Sequence, residues 1–576
     1  MLFSSTTEKQ LRKKLTIPFK LPIHYTTTHS ISSNVSNDLE LIERESISMY
    51  DYLLQPSHVF SKNLTKEWSK VFTSDVDFLK NTQTVIEEYN QIHNSQETFS
   101  DYSKIDEIWR EIQTDDDFIE RYAFMDWDML KHLNDSSSFL QTLSIIQMIS
   151  PLLSLLMPFF ILFFPFLLLL SQGNHITFES YIITLKTIAK NHFIGKLLNI
   201  NSLNPQNLIY LFISIVFYFF STYQNIIATF RFYKNVKNMN ENLYTLKNYL
   251  HFTHPRIQSF IDLHREKPKY TEFCNISQKH CNTILNLNTI FENIHPFSHS
   301  LYTLNNIGEM LKKYYQLYTN QDIIESIEYS FGFEGYLDHI KGLSDHIEKK
   351  NIAFSLYNKS DKTKLNKQYY PCHIDKNPVK NDISLDKNII ITGPNASGKT
   401  TMLKSTTLNV IFSQQFGCGF YESANIQLYT HIHSYLNIPD TSERDSLFQA
   451  ESRRCKEILD SIKNSDQTAH HLCIFDELYS GTNYKDATKS ATSFLKYLSK
   501  RENVDYLLTT HYTLVCKKLK KEKKIALFKM NVQPTKEGEF KYLYKIKKGI
   551  SVIEGGINIL KEMNYPQEII NDIKQQ

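Results

Sequence analysis

The chain has 576 residues and nearly balanced charge, 64 Lys and Arg against 61 Asp and Glu, for a formal net charge of +3. With 41% hydrophobic and 22% charged residues it has the composition of a folded protein. This excludes collagen, a disulfide scaffold, a wholly disordered chain and a protein that binds nucleic acid by bulk positive charge alone. The length corresponds to roughly three or four domains. The seven cysteines (Cys274, Cys281, Cys372, Cys418, Cys455, Cys473 and Cys516) form no C-x-x-C pair and offer no zinc spacing, so they read as thiols of a reducing compartment. Only 15 glycines are present, and they concentrate beyond Thr392.

The first twenty residues carry Arg12, Lys13 and Lys14 without an apolar run, which is not a secretory signal; Glu8 interrupts the basic pattern of a mitochondrial presequence. Residues 1–143 read as a mostly helical soluble region. Within it Asp115, Asp116, Asp117, Glu120, Asp126 and Asp128 interleave with Trp109, Phe124 and Trp127. Carboxylates this dense either hold a metal or form a solvated helical face, and the second is the plainer reading.

Residues 144–231 read as a two-span transmembrane hairpin. No charge occurs between 136 and 178, and 145–170 is almost wholly apolar. Those 26 residues would extend ~39 Å as a helix, enough for a ~30 Å hydrocarbon core. Pro151, Pro158 and Pro165 recur every seven residues; membrane helices tolerate proline where neighbours satisfy the freed carbonyls. A second uncharged window covers 197–230, densest at 208–220, with Tyr210, Tyr218 and Tyr223 as expected interfacial anchors. The alternative is a pair of buried helices in a large soluble core. Two spans place both ends of the chain on one side. Arg231, Lys234 and Lys237 suit a cytoplasmic flank, although Lys186, Lys190 and Lys196 in the intervening loop weaken that asymmetry. Residues 232–365 read as a helical lever or connector, with Leu243, Leu246 and Leu250 at helical spacing. The polar stretch 358–367 reads as a linker or exposed loop.

The chemistry lies in 366–576. A β-branched run, Ile389-Ile390-Ile391, leads through Thr392 into Gly393-Pro394-Asn395-Ala396-Ser397-Gly398-Lys399-Thr400, the G-x-x-x-x-G-K-[ST] phosphate loop between a strand and a helix. Its backbone N–H groups would cradle phosphates, Lys399 would reach the β- and γ-phosphates, and the Thr400 hydroxyl would ligate Mg²⁺. Leu472-Cys473-Ile474-Phe475 reads as a buried strand ending in Asp476-Glu477, the first carboxylate for the Mg²⁺ shell and the second for the attacking water. A third strand, Tyr506-Leu507-Leu508, ends in Thr509-Thr510-His511, where the imidazole would sense the γ-phosphate or polarise the water.

Residues 392–401, 475–487 (FDELYSGTNYKDA) and 509–512 (TTHY) resemble the ATPase domain of the MutS mismatch-repair proteins, a branch of the ABC-type ATPases. The resemblance continues through 417–420, 429–432, 446–451, 542–545, 549–551, Gly556-Ile557 and 566–570, and upstream at Tyr370-Pro371 and 379–382. It implies an α/β P-loop fold for 366–576, with ATP held by Gly393 through Thr401, Mg²⁺ held by Thr400 and Asp476, Glu477 as general base and His511 as γ-phosphate switch. It also implies a homodimer with composite sites, in which Ser446, Ser480, Gly481 and Thr482 face the partner's nucleotide. Departures are plain: Ala396-Ser397 replaces a Met-Ala/Gly pair, Tyr479-Ser480 replaces Gly-Arg, and His431 stands for an arginine. No mismatch-reading domain leads the chain. Phe420-Tyr421-Glu422 has the form of the family's reading wedge but follows the phosphate loop. Two functions are therefore expected. One is a membrane-tethered, MutS-like ATPase clamp acting on DNA, with the lysine-rich 517–524 and 541–548 as candidate phosphate contacts. The other is an ABC-type ATPase acting on a membrane or protein partner without mismatch recognition. Either way the ATPase would face an ATP-containing interior, cytoplasm or organelle matrix.

Overall fold

The computed structural model describes residues 18–42, 47–172, 177–188, 205–298, 305–358, 362–436, 438, 446–534, 540–551, 563 and 565–575. Glu8, Arg12, Lys13, Lys14, Lys190, Lys196, the Gly556-Ile557 pair, part of the 358–367 stretch and the Tyr210 side chain lie outside that description. The chain divides into two compact units that are not consecutive segments: one comprises Ser103–Phe252 and Thr283–Ile327, the other Ile17–Tyr102, Thr253–Asn282 and Glu328–Gln576. Boundaries at 143, 231 and 365 do not coincide with these units.

In the first unit the charge-free run forms a single helix, α1 (Ser137–Ser171), started by Ser136, whose Oγ accepts from the Phe139 N–H. The second uncharged window enters α2 (Pro205–His264), 60 residues without a break at 231. Both helices contain segments long and apolar enough to cross a membrane by length and composition. Only 6% of the most apolar window of each is buried, so this chain does not cover them as the soluble-core alternative requires.

Proline explains how α1 pairs with its neighbours. Each Pro removes an N–H and frees the carbonyl one turn earlier. Gln147 O, freed by Pro151, accepts from Thr229 Oγ1 at 3.0 Å. Ser154 O, freed by Pro158, accepts from the Tyr218 hydroxyl at 3.1 Å, while Asn225 Nδ2 donates to Ser154 Oγ at 2.6 Å. Before Pro165, Leu162 O accepts from the hydroxyl of Tyr181, on the short helix Phe178–Ile188, at 2.7 Å. The hydroxyl of Tyr218, one of the expected interfacial anchors, thus donates to the Ser154 and Leu155 carbonyls within α1. At the other end of α1 the helix Ile307–Thr319 packs so closely that a Cβ on Gly308 would lie 2.2 Å from Ser137 O. Leu243, Leu246 and Leu250 are buried, as their spacing predicts. In the acidic stretch Arg121 pairs with Glu111 at 2.9 Å and Asp115 at 3.1 Å, Trp109 and Phe124 are buried, and Trp127 is exposed.

Among the described residues, the sheets lie in the second unit. A small antiparallel pair, β1 (Thr28–Ser30) and β2 (Val71–Thr73), belongs to the N-terminal part. A five-stranded mixed sheet contains β3 (Ala353–Leu356), β4 (Lys364–Gln368), β5 (Asn381–Ser384), β7 (Cys418–Gly419) and β8 (Ser423–Asn425) in the order β5-β4-β8-β3-β7. Thus β3, inside the expected helical connector, is a strand of this unit. The main sheet contains β6 (Asn388–Thr392), β9 (His431–Tyr435), β10 (His471–Asp476), β11 (Val504–Thr510), β12 (Ile525–Pro534) and β13 (Phe540–Lys548), ordered β13-β12-β6-β11-β10-β9. Every pairing in it is parallel except β12 with β13. Strands β6 and β11 are buried throughout, the signature of a parallel sheet covered on both faces.

Helix α3 (Lys399–Phe416) is buried on nearly every residue, polar ones included. Its far end docks on the N-terminal part. Gln415 Nε2 donates to Trp68 O at 2.6 Å and Val71 O at 2.7 Å, and Gln414 Nε2 donates to Thr73 O at 2.9 Å. Lys404 pairs with Glu40 at 2.6 Å, and Ser434 donates to Asp38 at 2.6 Å. Residues 18–102, expected within a separate N-terminal region, are built into the unit that carries the phosphate-loop sequence.

Candidate functional site

Strand β11 lies between β6 and β10, with Thr510 opposite Thr392 and Thr509 opposite Asp476. The loop after β6, the carboxylates after β10 and the histidine after β11 therefore emerge side by side at one edge. In the loop Ala396 has φ +60° and Gly398 φ +91°, which bends the chain into the start of α3. A Cβ on Gly393 would lie 2.8 Å from Ser397 Oγ and 3.0 Å from Met530 Cβ, so the loop closes tightly there.

Lys399 Nζ lies inside this loop, donating to Gly393 O at 3.0 Å, Pro394 O at 3.2 Å and Asn395 Oδ1 at 3.4 Å. Burial lowers its pKa, opposed by the nearby charges of Glu477 and Asp476. Thr400 Oγ1 donates to Asp476 Oδ2 at 2.7 Å, and Thr509 Oγ1 donates to the other Asp476 oxygen. Glu477 takes a left-handed φ of +51° and is pinned by its N–H to Thr509 O at 3.0 Å. Its carboxylate lies 3.3 Å from His511 Nδ1 and 3.8 Å from Lys399 Nζ. The hydrogen bond to His511 is the main reason that its pKa is lowered, against the opposing effect of burial.

A cavity of about 650 Å³ opens on this edge, lined by the 395–401 segment, Glu477, Tyr370, His373, Val379 and Tyr544. Ser446, Ser480, Gly481 and Thr482 do not line it; they form a second cluster. Ser446 caps α4 (Leu447–Asn464) in a box with Gln449. Buried Glu451 accepts from Ser480 N at 2.9 Å, Ser480 Oγ at 2.8 Å and Gly481 N at 3.1 Å. A Cβ on Gly481 would lie 2.7 Å from Leu447 Cγ, so glycine is what lets the turn sit against the start of α4. Glu451 and Thr509 were not singled out as site residues in the sequence. Both lie in stretches that carry the resemblance, Thr509 in 509–512 and Glu451 in 446–451, but neither stretch names the contact the residue makes.

A phosphate-loop sequence, a pair of carboxylates and a histidine thus stand together at the ends of adjacent parallel strands. Residues 389–576 match the family model described as MutS domain V. Across 200 residues the chain is 32% identical to the DNA mismatch repair protein Msh3 of Dictyostelium discoideum, covering 32% of this chain and 13% of that one. It is 29% identical over 196 residues to the DNA mismatch repair protein MutS of Leuconostoc mesenteroides, covering 33% and 22% of the two chains. Against MutS of Staphylococcus saprophyticus it is 28% identical over 254 residues, 41% of this chain and 27% of that one. The chain is thus similar to these mismatch-repair proteins through its C-terminal domain. It spans between 13% and 27% of the length of these relatives.

Proposed function

We propose that the chain is an Mg²⁺-dependent, P-loop ABC-type ATPase of the MutS family, tethered to a membrane by two spans and coupled to a DNA-repair clamp. The observation that carries the ATPase reading is the convergence of Lys399, the Thr400–Asp476 pair and the Glu477–His511 pair at one sheet edge. Residues Gly393 through Thr401 would bind the phosphates. Thr400 and Asp476 would hold the metal: a hydroxyl and a carboxylate oxygen 2.7 Å apart are the hard donors that Mg²⁺ takes. When bound, the ion supplies neutralisation of phosphate charge. Glu477, its pKa lowered, is ionised near neutral pH and able to accept a proton from water; His511 orients it and can report on the γ-phosphate. Ser446, Ser480, Gly481 and Thr482, outside the cavity of their own chain, are the surface for a partner's nucleotide in a homodimer.

The test is turnover in Glu477→Gln. Loss of the general base is expected to slow hydrolysis ~10²–10⁴-fold while ATP still binds. Wild-type turnover would remove Glu477 from the mechanism.

The tether rests on α1 and the apolar part of α2, whose side chains stay uncovered and whose proline gaps are filled by partner hydroxyls. The ATPase would then face an ATP-containing interior, cytoplasm or organelle matrix. Those uncovered helices also favour a second reading, an ABC-type ATPase acting on a membrane or protein partner without mismatch recognition. Heteroduplex against homoduplex DNA binding, with and without ATP at fixed salt, separates the two; equal or absent binding leaves only the second.

A further inference from the structure

The paired helices mark a level along their axes. Thr229 on α2 bonds Gln147 on α1, and Tyr218 bonds Ser154, so α1 is followed downward as α2 is followed upward. The helices are antiparallel, and residue 145 stands level with residue 231. Exposed large apolar side chains begin at Ile145 on α1 and end at Phe230, 70% exposed, on α2. None occurs at 130–144 or at 231–284, all of which are described. The apolar surface therefore stops at the same height on both helices.

Directly beyond that edge α2 exposes Arg231, Lys234 and Lys237. Three-residue spacing turns ~300° per step and rises ~4.5 Å, so the three cations form one stripe reaching ~9 Å below the apolar edge. Arg231 and Lys234 have no ion-pair partner among the described residues, and Lys237 makes only a long contact of 3.9 Å with exposed Glu241. No acid occurs in the sequence between Glu179 and Glu241. On α1 the acid before the edge is Asp135, beyond the helix start at Ser137. It lies at least ~12 Å along the axis from Ile145, past the ~9 Å reach of the stripe; the acidic 115–128 stretch meets α2 where Asn235 Nδ2 donates to Arg121 O at 3.0 Å, and there Glu111 and Asp115 are paired with Arg121.

We propose that this stripe binds the headgroups of anionic phospholipids; the proposal rests on the membrane reading above. An unpaired guanidinium at the apolar edge can take a phosphate bidentately, and two ammonium groups follow within headgroup depth. A cation near an anionic leaflet contributes roughly a fivefold preference, so the stripe selects lipid by charge where α2 leaves the bilayer.

The test uses the full chain reconstituted in phosphatidylcholine vesicles with trace spin-labelled phosphatidylglycerol or phosphatidylcholine, reading the motionally restricted fraction of each label. The native chain is expected to retain the anionic label at least fivefold more than the zwitterionic one, with the ratio falling in 0.5 M NaCl. The combined variant Arg231→Gln, Lys234→Gln, Lys237→Gln is expected to bring the ratio to about one. A ratio of one in the native chain, or an unchanged ratio in the variant, overturns the proposal. Duplex DNA binding that is lost in the variant while the lipid ratio holds assigns the stripe to DNA and also overturns it. Alkaline extraction separates the two layers: release of the chain from vesicles fails the membrane reading itself, whereas retention with a ratio of one fails only the headgroup site.

Discussion

Glu477 is held by two neighbours of different kinds. His511 Nδ1 at 3.3 Å depresses its pKa by hydrogen bonding, while Lys399 lies at 3.8 Å and makes three shorter contacts within its own loop. A base with a depressed pKa is ionised above that pKa, and its activity falls as pH drops through it. Removing the imidazole removes the main cause of depression, so the carboxyl must titrate at higher pH. His511→Ala is therefore expected to move the acid limb of the kcat/KM profile upward in pH, beyond any loss in rate at the plateau. A profile that falls in height with its acid limb in place would mean that His511 does not set the ionisation of Glu477. The residues on this edge were legible in the sequence because each ends a β-branched or apolar run, and a parallel sheet aligns such ends. Glu451 lies in the 446–451 stretch that carries the resemblance, but its role was not legible there, because a buried carboxylate serving two backbone N–H groups and a hydroxyl is defined by a turn distant in sequence.

At the scale of elements, the apolar run of α1 was legible but its seams were not. Composition gives a helix with proline every seven residues; which hydroxyl meets which freed carbonyl depends on hairpin register. Tyr218 and Thr229 are ordinary residues of an apolar helix until Ser154 O and Gln147 O are placed beside them. The pairing predicts a specific coupling. Tyr218→Phe deletes the donor to Ser154 O, at a cost of ~0.6 kcal/mol and at most ~1.7 kcal/mol for such bonds in membranes. In a Pro158→Ala background the new N–H can bond Ser154 O within the helix, and the same Tyr218→Phe change should cost less. Stability of the four chains toward denaturing detergent closes this double-mutant cycle. Equal cost of Tyr218→Phe in both backgrounds would show that the hydroxyl does not substitute for the missing N–H.

At the scale of the whole molecule, the sequence divides the chain into successive segments, whereas the unit holding the site is assembled from three separate ones. The hydrogen bond between Tyr50 and Gln415 joins positions 365 apart, and Gln415 is fully buried with carbonyl partners at Trp68 and Val71. Such pairing leaves no periodic trace, so residues 18–102 looked like an independent head. The same unit buries His264, His339 and His471 at no more than 1% exposure. Burial is the first cause of lowering in each, to about 3 for His264 and about 4 for His339 and His471. His339 shows what protonation would break: its Nδ1 accepts from Trp68 Nε1 at 3.2 Å and its Nε2 faces Ser61 O at 3.0 Å, an arrangement that only the neutral ring satisfies. The unfolded chain binds these protons near pH 6.5 and the folded chain only near 3–4. Between those limits the unfolded state holds more protons, so stability is full above about pH 6.5 and declines as pH falls toward 4. Each fully buried histidine should remove on the order of 1 kcal/mol between pH 7 and 5.5. The guanidinium midpoint of the full chain in detergent, followed by tryptophan fluorescence, should therefore drop across that interval. In His339→Gln, whose side chain does not titrate there, the loss of stability over that interval should be smaller by on the order of 1 kcal/mol; the same pH dependence in the variant would exclude His339 from the acid response.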